Sequence, residues 1–208
     1  MHFYRNVQQQ LLRFDSHAGI RPQSRWVALD LLSEVDQPGE WWVNRSNGTL
    51  YFLPPAPLSD TTGGPAVFVS VAENVIAADG VSNVHMHNLR LLHARGTGVV
   101  FRNATGVILS GCEVALHGTA GLVIDGRRNS VRNSSIHSVG CGGLQLTGGS
   151  MRQLLRGDNE AVGNVIQRHS RWARARSPGI FWAGVGNRFM SNHIIDTPDM
   201  AICKQLLS

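Results

Sequence analysis

The sequence predicts an all-β protein, a right-handed parallel β-helix with three short strands in each coil. Three observations predict it: one phrase recurs five times between Val81 and Ile202, its apolar runs are three to five residues long, and they are rich in Val and Ile but broken by Gly and Asn. Internal repeats of this length are typical of solenoids, and short β-branched runs between turn residues are typical of strands. No repeat shows the longer periodicity of a buried helix.

The five copies align on one apolar position. That position is taken in turn by Leu91, Val114, Ile136, Ile166 and Ile194, at steps of 23, 22, 30 and 28 residues, and a second register joins Phe101, Ile124 and Leu146. Parallel strands joined by crossovers favour a right-handed path. We therefore expect about six coils, stacked about 4.8 Å apart, with the aligned side chains in one continuous core.

The chain divides into three predicted parts. Residues 1–24 form an N-terminal segment that suits one short helix, residues 25–65 form a β-hairpin flank or cap, and residues 66–208 form the β-helix, which we expect to be truncated at its C-terminal end. In the flank, Asp30 is predicted to cap a helical turn through Glu34. Asn47 and Gly48 are predicted to supply the positive φ angles of a tight hairpin.

The composition is basic, which suits an ordinary solvated surface first and an anionic partner second. Nineteen basic residues, eighteen of them Arg, stand against fourteen acidic residues and give a net charge of +5. This balance suits an ordinary solvated surface or attraction to an acidic glycan or a nucleic acid. No nucleic-acid module is visible, so we expect a polysaccharide or oligosaccharide, acidic in character. No apolar run is long enough to cross a membrane, so the sequence predicts no membrane partner, and it leaves the oligomeric state open.

Motifs for metals and cofactors are not found in the sequence. The three cysteines, Cys112, Cys141 and Cys203, have neither CxxC nor zinc-ligand spacing. No cluster of Asp residues suits calcium, and there is no phosphate loop and no GxSxG. We therefore expect no metal and no cofactor.

Several separate motifs follow one another between Arg25 and Ile202. They are Asp36-Gln37-Pro38-Gly39-Glu40-Trp41, Gly48-Thr49-Leu50-Tyr51-Phe52 with Pro54-Pro55, Gly142-Gly143-Leu144, Gly148-Gly149, Ser170-Arg171-Trp172, Pro178-Gly179-Ile180, Gly184-Val185-Gly186-Asn187, Asn192-His193-Ile194, Asp196, Pro198 and Ala201-Ile202. In this order they resemble the bacterial β-helix proteins related to glycoside hydrolase family 141, within the pectin-lyase-like group. The resemblance implies a secreted or periplasmic enzyme that hydrolyses glycosidic bonds of a plant or algal cell-wall polysaccharide.

The chain departs from that family in two motifs. Relatives usually have Gly-Gly-Asp where this chain has Ser150 after two glycines, and Pro-His where it has Asp199 after Pro198. The family pattern also continues beyond Ala201-Ile202 with a Gly-Asn-Asp-His phrase. We therefore expect an altered catalytic set, in an internal fragment or a diverged member of the family.

The candidate site residues lie where the coils lengthen, because loops on a rigid scaffold commonly carry function. The first long loop, residues 147–163, supplies Ser150 and Asp158 as substrate-binding residues. The second, residues 168–177, and the last coil supply the rest, which are His169, Arg171, Trp172, Arg174, Asp196 and Asp199.

Asp196 and Asp199 are the predicted catalytic acids, with His169 assisting proton transfer. Glycosidases use two carboxyl groups roughly 5 to 9.5 Å apart, a range that adjacent coils offer. The alternative is structural: residues 196–199 are also a turn sequence, and Asp196 would pair with Arg168 on the coil below. A His at a corner equally suits a bond to the backbone. Asn164 and Asn192 are predicted to stack as an amide ladder.

Trp172 is predicted to stack against a sugar ring, and Arg171 and Arg174 to bind its acidic groups. The alternative is that Trp172 folds its own loop onto the coil. Three functions remain open: a glycoside hydrolase, a non-catalytic β-helix that is a scaffold or binds a glycan, and a polysaccharide lyase, which by resemblance would use calcium. The fold cannot choose among them.

Overall fold

The computed structural model describes residues 30–55 and 67–204. These residues fall into two compact units that divide between Phe68 and Val69. The helix predicted within residues 1–24 and parts of the predicted flank, residues 25–29 and 56–65, lie outside the described residues.

The first unit contains an antiparallel hairpin. Its strands, β1 (Trp41–Asn44) and β2 (Thr49–Phe52), pair along their whole length, which confirms the predicted hairpin. Gly48 adopts a φ of 74° but Asn47 keeps a negative φ, so the expectation of two positive φ angles was wrong. Asn47 instead shapes the turn through its side chain, whose Oδ1 accepts a hydrogen bond from the Thr49 amide at 3.0 Å.

A short 3-10 helix, Leu32–Glu34, precedes the hairpin. Asp30 does not cap it, contrary to the prediction, because Leu31 occupies the N-cap position and no side chain caps the helix. The Asp30 carboxylate lies 2.8 Å from the Arg45 guanidinium instead. This helix, the longest in the two described ranges, is far shorter than the roughly 20 residues that a membrane-crossing helix needs.

The second unit is a parallel β-helix of three sheets. Sheet 1 consists of β3 (Ile76–Asp79), β6 (Val99–Thr105), β9 (Leu122–Arg127), β12 (Leu144–Ser150), β16 (Ile180–Gly184) and β19 (Ile202–Lys204). Sheet 2 consists of β4 (His85–His87), β7 (Ile108–Ser110), β10 (Ser130–Arg132), β14 (Glu160–Val162) and β17 (Arg188–Met190). Sheet 3 consists of β5 (Arg90–Leu92), β8 (Glu113–Ala115), β11 (Ser135–His137), β15 (Val165–Gln167) and β18 (His193–Ile195). A further strand, β13 (Leu155–Arg156), pairs antiparallel with the end of β12.

The observed register confirms both predicted alignments. On sheet 3, the paired residues are Leu91, Val114, Ile136, Ile166 and Ile194, and on sheet 1 they are Phe101, Ile124 and Leu146. These side chains, together with those of sheet 2, form one hydrophobic core. Because side chains alternate between the two faces of a strand, a shift of one residue would turn a whole column of them to solvent.

Two columns of asparagine side chains form hydrogen bonds with the backbone groups of the turns at the ends of sheet 2. In the predicted ladder, Asn164 accepts from the Ser134 amide at 3.0 Å, and Asn192 accepts from the Asn164 amide at 3.1 Å, which confirms that prediction. A second ladder joins Asn129 and Asn159 in the same way at 2.9 Å. Each amide replaces the water that the turn backbone loses on burial.

The corner between sheets 3 and 1 requires glycine in successive coils. A Cβ on Gly121 would lie 2.6 Å from the carbonyl oxygen of Gly143, and one on Gly143 would lie 2.7 Å from that of Gly179. The stacked backbones therefore leave no room for a side chain at this point. We call this turn, with the long loop 168–179 and residues 196–201 of the next coil, corner A. The turn from sheet 1 to sheet 2, with residues 126–128 and 148–158, is corner B.

Candidate functional site

The candidate residues lie on two separate corners of the β-helix. Corner A brings together six of them, which are His169, Arg171, Trp172, Arg174, Asp196 and Asp199, while corner B holds Ser150 and Asp158. The two corners lie at opposite ends of the sheet 1 strands, and the five residues of β16 alone span roughly 16 Å. A single sugar unit cannot contact both sets.

His169 is buried and belongs to the base of the corner A loop. Its side chain is 1% exposed, and Nδ1 lies 2.8 Å from the Ser170 hydroxyl and 3.1 Å from the Ser177 carbonyl oxygen. Because a carbonyl only accepts, Nδ1 carries the proton. Burial lowers the pKa of His169 and outweighs the opposing effects of the Ser177 carbonyl and the Asp199 charge. The ring is therefore neutral near pH 7 and closed to substrate, as the alternative interpretation of a corner histidine predicts.

Asp199 ties the far end of the loop to the next coil. Its Oδ2 accepts a hydrogen bond from the Ser177 amide at 2.6 Å. Backbone hydrogen bonds from Ser177 and Met200, with a smaller effect of His169, hold the pKa of Asp199 below its ordinary value. An ionised carboxylate suits a general base or nucleophile and not a general acid. The geometry also gives Asp199 a structural role, because it fixes the position of the loop.

Asp196 lies on the same corner and is exposed to solvent. Its carbonyl oxygen accepts a hydrogen bond from the Arg168 amide at 3.1 Å, so the two residues occupy one column, as predicted. Between residues 67 and 204 the structure shows no ion pair between their side chains. Asp196 has a φ of 49°, the left-handed conformation that also occurs at Arg168 below it. The carboxylate is therefore accessible to a ligand.

Trp172 packs down on the coil below while part of it remains exposed. Its amide donates to the Gly140 carbonyl at 2.8 Å, and the Ala173 amide donates to the same oxygen at 3.1 Å. A Cβ on Gly140 would overlap the indole Cδ1, so the ring occupies the space above this glycine. The indole therefore holds its loop in place, and its partly exposed side remains available to a ligand.

Four arginines lie in the same loop as this tryptophan. Arg171 is half-buried, and burial, followed by the charge of Arg168, lowers its pKa below the ordinary arginine value. Arg168, Arg174 and Arg176 are exposed. Arg168 and Arg176 were not among the predicted binding residues, although the spacing of arginines between residues 168 and 176 is the signal that points to them.

The two candidate residues on corner B have local partners. The Ser150 hydroxyl accepts from the Gln153 amide at 3.3 Å, and the Asp158 carboxylate pairs with the Arg156 guanidinium at 2.7 Å. Both interactions lie within the turn of residues 148–158 that carries these two side chains.

In the described ranges, 30–55 and 67–204, no group of three or more His, Cys, Asp or Glu side chains is arranged to hold a metal ion. The three cysteines are free.

Comparison with known proteins identifies the family. A family model described as a right-handed β-helix region matches residues 74–202, well over half of the chain. No curated protein matches the sequence, and neither does any solved structure. The matched residues begin just before β3 and end in β19, so the match covers the whole stack of parallel sheets. The chain belongs to the right-handed parallel β-helix family.

Proposed function

We propose that this protein binds an acidic polysaccharide at corner A. The observation that carries the proposal is the loop of residues 168–177, whose base is fixed and whose tip is arginine-rich. The Ser170 amide donates to the Cys141 carbonyl at 2.8 Å and its hydroxyl to the Ser177 carbonyl, while the Ser177 amide donates to Asp199. A loop ordered before binding loses little conformational entropy when a ligand arrives.

The exposed groups of the loop suit a sugar acid. Guanidinium groups form charge-assisted, bidentate hydrogen bonds with carboxylates, and Arg168, Arg174 and Arg176 present theirs to solvent. An indole offers an apolar face to the C–H groups of a sugar ring, which Trp172 can supply from its exposed side. The net charge of +5 adds long-range attraction to a polyanion.

Calorimetric titration with polygalacturonate oligomers, and with neutral xylan oligomers of equal length, tests this proposal. We expect binding of the acidic oligomer that weakens with salt. Trp172→Ala, or Arg168→Gln combined with Arg176→Gln, should weaken it about tenfold. Arg102→Gln removes an exposed arginine from sheet 1 and serves as the matched control. Equal affinity for acidic and neutral oligomers, or full binding by both corner A variants, would overturn the proposal.

Hydrolysis of the bound glycan is the second candidate function. It is supported by the presence of two carboxylates, Asp196 and Asp199, on the corner that carries Trp172, and by the motif resemblance to relatives of glycoside hydrolase family 141. Asp199→Asn also weakens the bond that holds the loop, so Asp196→Asn is the cleaner test. Reducing-sugar release that Asp196→Asn abolishes supports hydrolysis. An unsaturated product that absorbs in the ultraviolet would indicate a lyase, and binding without cleavage would indicate a binding protein.

A further inference from the structure

Corner B carries a small excursion that projects from the fourth coil. The end of β12 turns back and pairs antiparallel with β13, so that Gly149 faces Arg156 and Ser150 faces Leu155. Residues 151–154 form the tip. No other coil between residues 67 and 204 has an antiparallel strand at this turn.

The tip exposes apolar side chains. Leu154 is 87% exposed, and its neighbours Met151 and Leu155 are 45% and 44% exposed. Leu154 also has a φ of 53°, in the left-handed region that large aliphatic residues rarely adopt. Leu154 is therefore unfavourable in two ways: its backbone conformation is one that leucine rarely adopts, and its apolar side chain is exposed to water. Strain of this kind is commonly found where a residue serves binding rather than stability.

Three exposed arginines lie in the apolar tip or on the coil beneath it. Arg152 is part of it, and Arg127 and Arg128 lie on the coil directly beneath, where the Arg128 amide donates to the Gly157 carbonyl at 2.7 Å. All three are exposed, and none forms an ion pair with a residue that the structure describes. Arg156 is paired with Asp158. The excursion thus combines a protruding apolar tip with positive charge at its base that has no ion-pair partner in residues 30–55 and 67–204.

We propose that the corner B excursion binds the surface of an anionic lipid bilayer. Leu154, Met151 and Leu155 enter the boundary between headgroups and acyl chains, while Arg127, Arg128 and Arg152 contact the lipid phosphates. Such interfacial binding combines buried apolar area with attraction to anionic headgroups. A soluble polyanion has no hydrocarbon interior in which a leucine side chain can be buried, so the exposed tip favours the lipid surface. The sequence expectation of no membrane partner rested on the lack of a crossing segment, and surface binding needs none.

Co-sedimentation with vesicles of phosphatidylcholine alone, and of phosphatidylcholine with phosphatidylserine, tests the proposal. We expect binding to the mixed vesicles that weakens as salt is raised. Neutralising two arginines in Arg127→Gln/Arg128→Gln should weaken it roughly thirtyfold at low salt. Arg168→Gln/Arg176→Gln removes the same charge from corner A and should retain binding within about threefold.

Leu154→Gly separates binding from folding. Glycine adopts the positive φ angle without strain, so this variant should melt at the wild-type temperature or above it, yet bind vesicles about tenfold more weakly. Leu89→Gly, at another exposed leucine, is the matched control and should bind as the wild type does. Full vesicle binding by Leu154→Gly overturns the proposal. The proposal is also overturned if the protein does not bind the mixed vesicles but binds soluble polygalacturonate through Arg127 and Arg128.

Discussion

The buried side chain of His117 should make the folded protein less stable in mild acid. Its ring is fully buried, with Nδ1 accepting a hydrogen bond from the Ala94 amide at 3.0 Å and Nε2 without a hydrogen-bond partner among the residues that the structure describes. A Cβ on Gly98 would overlap the imidazole, so the ring fills the space beside this glycine. Burial, with a smaller contribution from the charge of His137, lowers the pKa of His117 to about 4.

The magnitude follows from linkage between protonation and folding. The unfolded chain takes up a proton at His117 near pH 6.5, whereas the folded chain does so near pH 4. The stabilisation is therefore complete above pH 6.5 and is lost as the pH falls toward 4. A shift of this size is worth about 3 kcal/mol in full, and about 2 kcal/mol of it should be lost between pH 7 and pH 5.

The variant His117→Asn tests this effect, since its side-chain oxygen can still accept from the Ala94 amide but does not titrate. Thermal melts at pH 7 and pH 5 give the measurement. In a chain of this length, 2 kcal/mol corresponds to about 4 to 8 °C in melting temperature. We expect the wild type to lose that much more than the variant over this range. Parallel pH profiles for the two proteins would refute the reasoning, whatever their absolute stabilities.

Three further substitutions probe the coil. Ile136→Ala empties a fully buried position of the core and should lower the free energy of unfolding by about 2 to 5 kcal/mol in urea titrations. Asn159→Ala removes the acceptor of the Asn129 amide and should cost about 1 to 3 kcal/mol by the same assay. Gly126→Ala places a Cβ against the Ala104 carbonyl and should abolish the cooperative thermal transition seen by circular dichroism.

The sequence predicted the coil well because its information is local and repeated. The residues of a column, such as Leu91, Val114 and Ile136, recur at nearly constant spacing in the sequence. Because the inward side chains of successive coils stack on one another, aligning the sequence repeats also aligns the paired strands. The Asn129 and Asn159 ladder follows the same rule, but it was missed because its members directly precede the sheet 2 strands, whereas the predicted alignments followed positions on sheets 3 and 1. Asp30 shows where local propensity fails: a nearby arginine competed for its carboxylate, and it does not cap the helix.

The site was harder to predict because its geometry depends on contacts between distant parts of the chain. Whether His169 faces solvent depends on how Ser170 and Ser177 close the loop, and that closure requires Asp199 from the following coil. A sequence pattern that places a histidine and an aspartate on one corner cannot distinguish a catalytic pair from two residues that hold a loop in place by hydrogen bonds. The separation of Ser150 from Trp172 likewise depends on which end of a sheet 1 strand each loop leaves.

The distribution of charge links the fold to both proposals. Side chains stacked on adjacent coils lie close together, so like charges on an outward face repel. Sheet 2 therefore places Glu160 between Arg132 and Arg188. Burial raises the pKa of Glu160, but hydrogen bonds from these two arginines and from Ser130 outweigh it and hold that pKa below its ordinary value.

Arginines without a described ion-pair partner occur on both corners: Arg168 and Arg176 on corner A, and Arg127, Arg128 and Arg152 on corner B. Since a sheet 1 strand separates the two groups by more than the Debye length of about 10 Å at 0.1 M salt, each attracts its own anion. Removing charge from corner A should therefore weaken glycan binding without weakening vesicle binding, and removing charge from corner B should do the reverse.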